Sequence, residues 1–158
     1  MALPPCDRGE DLTPMIEGGD MSEENKALVH RWFEEVWNKG RSDAIEEMFA
    51  EDGLAHGLSD DAGNPLRGPA AFRLFHQRFR AAFPDIVVTI EDAICEGDKV
   101  AARCKVTGQH LGDSLGVAAT NKPMVITGIT IVRVKNGKIV EAWNNFDFMS
   151  MHQQLGSI

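Results

Sequence analysis

Residues 124–147, MVITGITIVRVKNGKIVEAWNNFD, carry the pattern that decides the fold. Val, Ile and Thr dominate on both sides of Asn136-Gly137, a dipeptide that favours a tight hairpin between a strand at 124–135 and one at 138–147. Upstream, residues 85–96 and 99–110 have the same composition and are separated by a second turn signal, Gly97-Asp98. Strands joined by hairpins pair with their neighbours, so these four segments predict an antiparallel meander.

The first half of the chain has helical periodicity instead. Apolar residues recur at three- and four-residue spacing, and Gly and Pro residues end the segments. The expected elements are a helix from about residue 23 to 39, a short helix capped by Ser42 or Asp43, a short strand at 54–58 and a third helix from Gly68 to Pro84. Helices followed by long strands predict an α+β domain, in which the helices and a curved antiparallel sheet enclose one mostly apolar pocket.

Length and composition are those of one small globular domain. The chain has 158 residues, of which 43% are hydrophobic and 25% charged, and one core can serve a chain of roughly this length. Residues 1–20 combine acidic side chains with Pro and Gly, which predicts a disordered leader before a single domain at 21–158. The leader lacks the features of a secretory signal, so the expected location is the cytoplasm.

Charge, hydropathy and cysteines argue against several classes of protein. The formal net charge of −8 disfavours nucleic-acid binding, which relies on clustered Lys and Arg. The uncharged runs are too short for the roughly 20 residues that span a bilayer, so no membrane contact is expected. Cys6, Cys95 and Cys104 include no C-x-x-C pair and are expected to be reduced and inert. If Gly97-Asp98 forms a two-residue loop, Cys95 lies opposite Val100, which disfavours a disulfide in that hairpin.

The last predicted strand carries the most informative side chains. Alternation places Trp143, Asn145 and Asp147 on one face. If that face looks into an apolar pocket, desolvation favours the neutral carboxyl of Asp147, which suits a general acid or base. Alternatively, Asp147 caps a short helix at 148–154, where backbone N–H groups stabilise its carboxylate. The spacing leaves both interpretations open.

Arg133 interrupts an apolar strand, and the Asn136-Gly137 turn decides which face it takes. A two-residue loop pairs Val134 with Ile139 and puts Arg133 on the face opposite the candidate carboxylate. A three-residue loop with a Gly bulge pairs Val134 with Lys138 and puts Arg133 on the same face. Only the second arrangement makes Arg133 a candidate catalytic residue.

The candidate substrate-binding residues comprise two histidines, one amide and four aromatic side chains: His56, His110, Asn145, Trp143, Phe33, Trp37 and Phe75. Both histidines lie on predicted strands and can point into a cavity, although a lone His on a strand is more often packed or solvated. The spacing of His, Cys and carboxylate residues matches no metal-binding motif, so we predict no metal.

Four segments in one order together resemble a known family. They are HRWFEEVWNKGRSDAIEEMFAED (30–52), RGPAAFRLFHQRFRAAFPDI (67–86), VTGQHLGDSLGVAATNKPMVITGITIVRVKNGKIVEAW (106–143) and FDFMSMHQQLG (146–156). Over residues 23–156 the chain resembles the SnoaL-like polyketide cyclases of the nuclear-transport-factor-two-like (NTF2-like) superfamily. The resemblance implies a cone-shaped α+β barrel with a pocket for a hydrophobic small molecule. It also implies no cofactor, and a homodimer formed through the outer face of the sheet.

The resemblance further implies a reaction and two residue roles. The best-understood members close a ring in a polyketide ester by an intramolecular aldol reaction, and related members perform isomerase or lyase chemistry. In the cyclases an aspartate near the end of the last long strand moves the proton, and Asp147 matches its place. A basic residue on the preceding strand assists, and Arg133 matches that place. One departure is Glu141-Ala142-Trp143, which stands where such proteins often have Glu-His-Trp.

Other functions remain open on this scaffold, because a fold does not fix a function. An epoxide hydrolase needs a carboxylate–Arg–carboxylate set, which Asp147, Arg133 and Glu141 would supply. A non-catalytic binder of a hydrophobic small molecule would use the same pocket, with Asp147 serving only as a helix cap. Ketosteroid isomerase chemistry is disfavoured because the chain contains no Tyr to donate to an oxyanion.

Overall fold

The architecture follows the order of the sequence patterns. The computed structural model describes residues 21–158, so Cys6 and the expected disordered leader lie outside the described residues. The helices are α1 (Met21–Arg31), α2 (Ala44–Met48), α3 (Gly68–Ala82) and α4 (Phe148–Leu155), and a π-helical segment, Trp32–Asn38, continues α1 directly. The strands are β1 (Phe49–Ser59), β2 (Pro65–Arg67), β3 (Val87–Glu96), β4 (Lys99–Gln109), β5 (Pro123–Lys135) and β6 (Lys138–Phe146).

The strands form one open, curved sheet in the order β2-β1-β6-β5-β4-β3. Strands β3 to β6 make the predicted antiparallel meander. At the β5–β6 hairpin, Asn136 and Gly137 have φ values of 53° and 72°, the left-handed values that a tight two-residue turn requires. Cys95 pairs with Val100 as predicted, and Cys95 and Cys104 are both free.

Strand β1 departs from the expected antiparallel sheet. It is longer than the predicted strand at 54–58 and pairs with β6 in parallel, so the sheet is mixed. Its other neighbour is β2, which pairs with it in the antiparallel direction. Turn signals indicate only the pairing of strands that follow each other in sequence. Strands β1 and β6 are separated in sequence by α3 and most of the meander, so no turn signal indicates their pairing.

The π-helical segment after α1 is held by side chains from other elements. The Nε2 atom of buried His76, on α3, lies 2.6 Å from the Val36 carbonyl oxygen, which can only accept, so this nitrogen carries the proton. The Asn38 amide donates to the Val88 carbonyl at 3.0 Å and accepts from the Val88 N–H at 2.7 Å. These bonds stabilise a helical form that is rare in isolation.

Candidate active site

A cavity lies between the helices and the inner face of the sheet. It contains about 690 Å³ of empty space, its open mouth included. Among its 19 lining residues, 17 are apolar and nine of these are aromatic. The lining comes from the π-helical segment, α3, five strands, α4 and the residue before β3: Trp32, Phe33, Trp37, Phe49, Leu58, Phe72, Phe75, Phe79, Ile86, Val88, Val106, Ile126, Thr130, Val132, Ile139, Ala142, Asn144, Phe146 and Phe148. The expected apolar pocket is therefore present.

Aromatic rings from two elements build the helical wall of the cavity. Trp37 meets Phe72 and Phe75 edge to face, with ring centroids 6.2 Å apart in both pairs. Phe75 and Phe79 follow on α3 at 5.1 Å. Such contacts hold the rings in defined orientations. Phe33, Trp37 and Phe75, named from the sequence, all line this cavity.

Two polar residues, Thr130 and Asn144, interrupt the apolar lining. They are cross-strand partners on β5 and β6, and Thr130 Oγ1 lies 2.9 Å from Asn144 Oδ1. Asn144 Nδ2 donates to the His56 carbonyl oxygen at 2.9 Å. That carbonyl can only accept, so it fixes the amide orientation and makes the Thr130 hydroxyl the donor to Asn144.

Thr130 and Asn144 were not among the predicted site residues, because the other face of β6 was expected to look into the cavity. Trp143 is half-buried, Asn145 is exposed, and neither lines the cavity. The inward residues of β6 are Ala142, Asn144 and Phe146. No signal in the sequence indicated the inward face, because the pairing of Val132 with Ala142 depends on the register shift between Arg133 and Val134. Without that shift, the two-residue loop would pair Val132 with Glu141 and turn the other face of β6 inward.

Asp147 follows β6 as the N-cap of α4. Its Oδ1 atom accepts from the Ser150 N–H at 2.9 Å, and the residue is exposed. Its position is thus that of the predicted helix cap, and it does not line the apolar cavity. Its sequence neighbours Phe146 and Phe148 both line the cavity, with ring centroids 6.3 Å apart. Asp147 therefore lies at the edge of the cavity.

Arg133 combines features of the two predicted arrangements. The loop has two residues and Val134 pairs with Ile139, but a register shift between Arg133 and Val134 then pairs Arg133 with Glu141. A bulge beyond the turn thus puts Arg133 on the face of β6 that carries Trp143. This face points away from the cavity, so Arg133 does not reach the lining.

A polar cluster surrounds Arg133 on the outer face of the sheet. Arg133 donates to Glu141, and His56 Nε2 lies 2.7 Å from the other carboxylate oxygen of Glu141. The hydrogen bond with His56, and then that from Arg133, lower the pKa of Glu141 below its usual range. The His56 ring stacks on Trp143 at 5.7 Å, and Lys99 Nζ lies 5.7 Å from the Trp143 ring. His56 therefore contacts the outer cluster and not the cavity lining.

His110 is fully buried but does not line the cavity. Its Nδ1 atom accepts from the Thr120 N–H at 3.1 Å, so Nε2 carries the proton of the neutral ring. Nε2 makes no hydrogen bond within the described residues. His110 holds the two ends of the loop between β4 and β5 together, since its backbone N–H and carbonyl bond Lys122 and Asn121.

Within residues 21–158, no group of three or more His, Cys, Asp or Glu side chains is placed to hold a metal ion. No helix in this part of the chain is long and apolar enough to cross a membrane. Burial raises the pKa of the Cys104 thiol to about 11, which keeps it protonated at neutral pH.

Fold and cavity together define a class of protein: an α+β cone whose helices and open, curved sheet surround an apolar pocket. The chain belongs to the SnoaL-like polyketide cyclase family, whose model matches residues 27–155. It is 30% identical over 131 residues to the aklanonic acid methyl ester cyclase DauD of Streptomyces sp. (strain C5). The aligned region covers 82% of this chain and 80% of DauD.

Solved structures share the architecture. IdmH, a proposed polyketide cyclase from Streptomyces antibioticus, matches with 31% identity and a TM-score of 0.73 over 84% of this chain and 98% of its own. A Catenulispora acidiphila protein with a ketosteroid isomerase-like fold matches with 22% identity and a TM-score of 0.68 over 82% of this chain and 92% of its own. The second likeness concerns the fold alone.

Proposed function

We propose that this protein is a cofactor-independent polyketide cyclase that closes a ring by an intramolecular aldol reaction. The observation that carries the proposal is the cavity, in which nine of 19 lining residues are aromatic. Such a lining suits a flat, largely apolar ligand that already contains rings. Membership of the SnoaL-like polyketide cyclase family and the likeness to DauD support the same substrate class.

The reaction needs a proton acceptor and a folded substrate. A base removes a proton from carbon next to a carbonyl, and the resulting enolate carbon attacks a second carbonyl carbon of the same molecule. A C–C bond forms, the C=O π bond opens, and the acceptor oxygen takes a proton, so no atom is gained or lost overall. A rigid cavity that holds both carbons close together lowers the entropic part of the barrier.

Asp147 is the proposed base. Its Oδ1 atom is used by the cap, whereas Oδ2 makes no hydrogen bond to any residue between 21 and 158 and is free to accept a proton. In this arrangement the ring system fills the cavity, and the reacting carbon lies at the edge beside Phe146 and Phe148.

An epoxide hydrolase is less well supported. Arg133 and Glu141, two members of its carboxylate–Arg–carboxylate set, lie on the outer face and are paired with each other. A substrate in the cavity would have the sheet between itself and these groups. We therefore assign Arg133 no catalytic step and propose that it takes part in assembly instead.

We propose that the outer face of the sheet binds a second copy of this chain. An apolar row crosses strands β3 to β6, with exposed fractions of 67% for Ile94 and 40% for Ile131. Ala101 lies between these two residues as the cross-strand partner of both, and Trp143 continues the row as the partner of Ile131. Beside it runs a row with two cations between two carboxylates: Glu96, Lys99, Arg133 and Glu141. Because both signs are present, two identical faces can complement each other, which favours a homodimer.

The function is tested by incubating the purified protein with aklanonic acid methyl ester, without added cofactor. Chromatography with mass detection should show a product of unchanged mass and different retention. Formation of that product at the rate of a heat-denatured control would contradict the proposal. In that case, ligand binding without turnover would favour the non-catalytic binder.

A further inference from the structure

We propose that Thr130 and Asn144 form a polar anchor, which binds the enol form of a 1,3-dicarbonyl group within the cavity. The inference rests on the proposed function, because it names the part of a polyketide that the cavity recognises. A buried ligand oxygen without a hydrogen-bond partner is costly. Since the other 17 lining residues are apolar, these two side chains are the partners that the lining offers.

The orientation of the pair determines what it can bind. Asn144 uses one N–H on the His56 carbonyl, and its Oδ1 atom accepts from Thr130. An amide nitrogen carries two hydrogens, so one N–H donor of Asn144 remains, and the Thr130 oxygen retains lone pairs after donating its proton. Within the described residues no other hydrogen bond engages the Asn144 amide or the Thr130 hydroxyl. The anchor therefore presents one donor beside one acceptor.

An enolised 1,3-dicarbonyl presents the complementary pattern. Its carbonyl oxygen accepts from the Asn144 N–H. Its enol O–H, which also bonds the carbonyl oxygen within the ligand, is shared with the Thr130 oxygen as a three-centre hydrogen bond. A simple ketone satisfies only the donor, and a hydrocarbon satisfies neither. Binding the enol holds its nucleophilic carbon, the one between the two oxygen-bearing carbons, at a defined place, with no bond made or broken at the anchor.

Packing holds the anchor in place. Thr130 is 2% exposed, which leaves its side chain little rotamer freedom. On the neighbouring strand, Gly57 has a φ of 79°, and a Cβ atom there would lie 1.8 Å from the Asn144 carbonyl oxygen. The close approach of β1 to β6 at this glycine also brings the His56 carbonyl within reach of the Asn144 amide. A rigid anchor loses little entropy on binding.

The test compares two probes that differ in polarity: 2-acetyl-1-tetralone, an enolised 1,3-diketone, and 2-ethylnaphthalene, a hydrocarbon of similar shape. Quenching of protein tryptophan fluorescence reports binding, because Trp32 and Trp37 line the cavity. The main variant is Thr130→Val combined with Asn144→Leu. Thr130→Val alone is the second variant, in case loss of the donor to His56 unfolds the first. Thr127→Val, on the exposed face of the same strand, is the matched control.

The double variant should weaken diketone binding by about tenfold or more, as expected for two lost hydrogen bonds, and change hydrocarbon binding by less than about twofold. Thr130→Val should show part of the same selective loss, and Thr127→Val none. Equal changes for both probes, or no change for either, would overturn the anchor and reduce the pair to a structural cross-strand contact.

Turnover of aklanonic acid methyl ester by the wild-type protein separates this inference from the proposed function. Selective loss of diketone binding without wild-type turnover supports the anchor and overturns the cyclase. Turnover together with equal loss for both probes supports the cyclase and overturns the anchor.

Discussion

The two faces of the sheet at β5 and β6 are built from alternating residues of the same strands but have different roles. The inner face presents Val132, Thr130 and Asn144 to the cavity, whereas the outer face presents Arg133 and Glu141 as an ion pair. Each face carries both apolar and polar side chains, so composition alone does not separate them. A shift of one residue exchanges the faces of a strand. What decides between them is the aromatic cover that the π-helical segment and α3 place on one side.

Asp147 lies where the inner face of β6 ends, and it gives the largest expected effect. Asn and Asp are equally good N-caps, so Asp147→Asn should leave the melting temperature nearly unchanged. Loss of the base should lower the rate of ring closure by about 10²–10⁴-fold. The initial rate of product formation and the melting temperature are both measured on the same preparation of each protein.

Asp147→Ala is the control for the cap. It should lose the same activity and, in addition, about 1 kcal/mol of stability. Full activity in Asp147→Asn would mean that Asp147 is only a cap and that the proton acceptor lies elsewhere.

The same substitution on opposite faces of β5 tests the comparison directly. Val132 is 4% exposed and lines the cavity, whereas Val125 is 49% exposed. Val132→Thr puts a hydroxyl into an apolar wall and should cost about 1–3 kcal/mol of unfolding free energy. Val125→Thr should stay within about 0.5 kcal/mol of the wild type. Urea unfolding of both variants gives the two values, and equal losses would contradict the assignment of the faces.

If the outer face forms the homodimer interface, a charge placed in that face should weaken dimerisation. Ile131→Glu places a charge in the apolar row and should weaken self-association by at least about tenfold, because a buried unpaired charge is costly. Leu74→Glu, at a position on α3 that is 64% exposed, is the matched control and should leave the dimer intact. Light scattering coupled to gel filtration measures the mass. A wild-type monomer, or an unchanged dimer of Ile131→Glu, would contradict the proposed interface.

Local signals in the sequence predicted the parts of the fold that local chemistry determines. Asn136-Gly137 and Gly97-Asp98 fixed two hairpins because each turn needs residues that tolerate left-handed backbone. Helical spacing placed Phe33, Trp37 and Phe75 in the cavity wall because an apolar stripe must be buried. None of these inferences required knowledge of distant contacts.

The rest depends on contacts between distant segments. The π-helical segment has the same apolar composition as an α-helix and differs through bonds such as the one between His76 and Val36. The inward face of β6 depends on which side the helices cover, so Asn145 was expected in the cavity where Asn144 lies. The face of Arg133 depends on a bulge outside the turn, which no turn signal indicates.

His76 gives the smallest expected effect, a pH dependence of stability. Burial, and then the nearby Arg80 charge, lower the pKa of His76 from its ordinary value of 6.5, even though its bond to the Val36 carbonyl acts in the opposite direction. Above pH 6.5 the ring is neutral in the folded and the unfolded chain, so the contribution of His76 to the free energy of unfolding is fully present. As the pH falls below 6.5, the unfolded chain binds a proton before the folded chain does, so stability is lost at about 1.4 kcal/mol for each pH unit until the folded pKa is reached.

His76→Gln isolates this contribution, because Gln can still donate to the Val36 carbonyl but does not titrate. Urea unfolding between pH 7 and 5 should show a loss of stability in the wild type that is absent from the variant. The carboxylates of Glu35, Asp43 and Glu141 also have lowered pKa values, from ordinary values of 4.5, 3.8 and 4.5, so their contribution is lost only at lower pH. Parallel slopes for the two proteins above pH 5 would mean that His76 takes up its proton without disturbing the π-helical segment that forms the cavity wall.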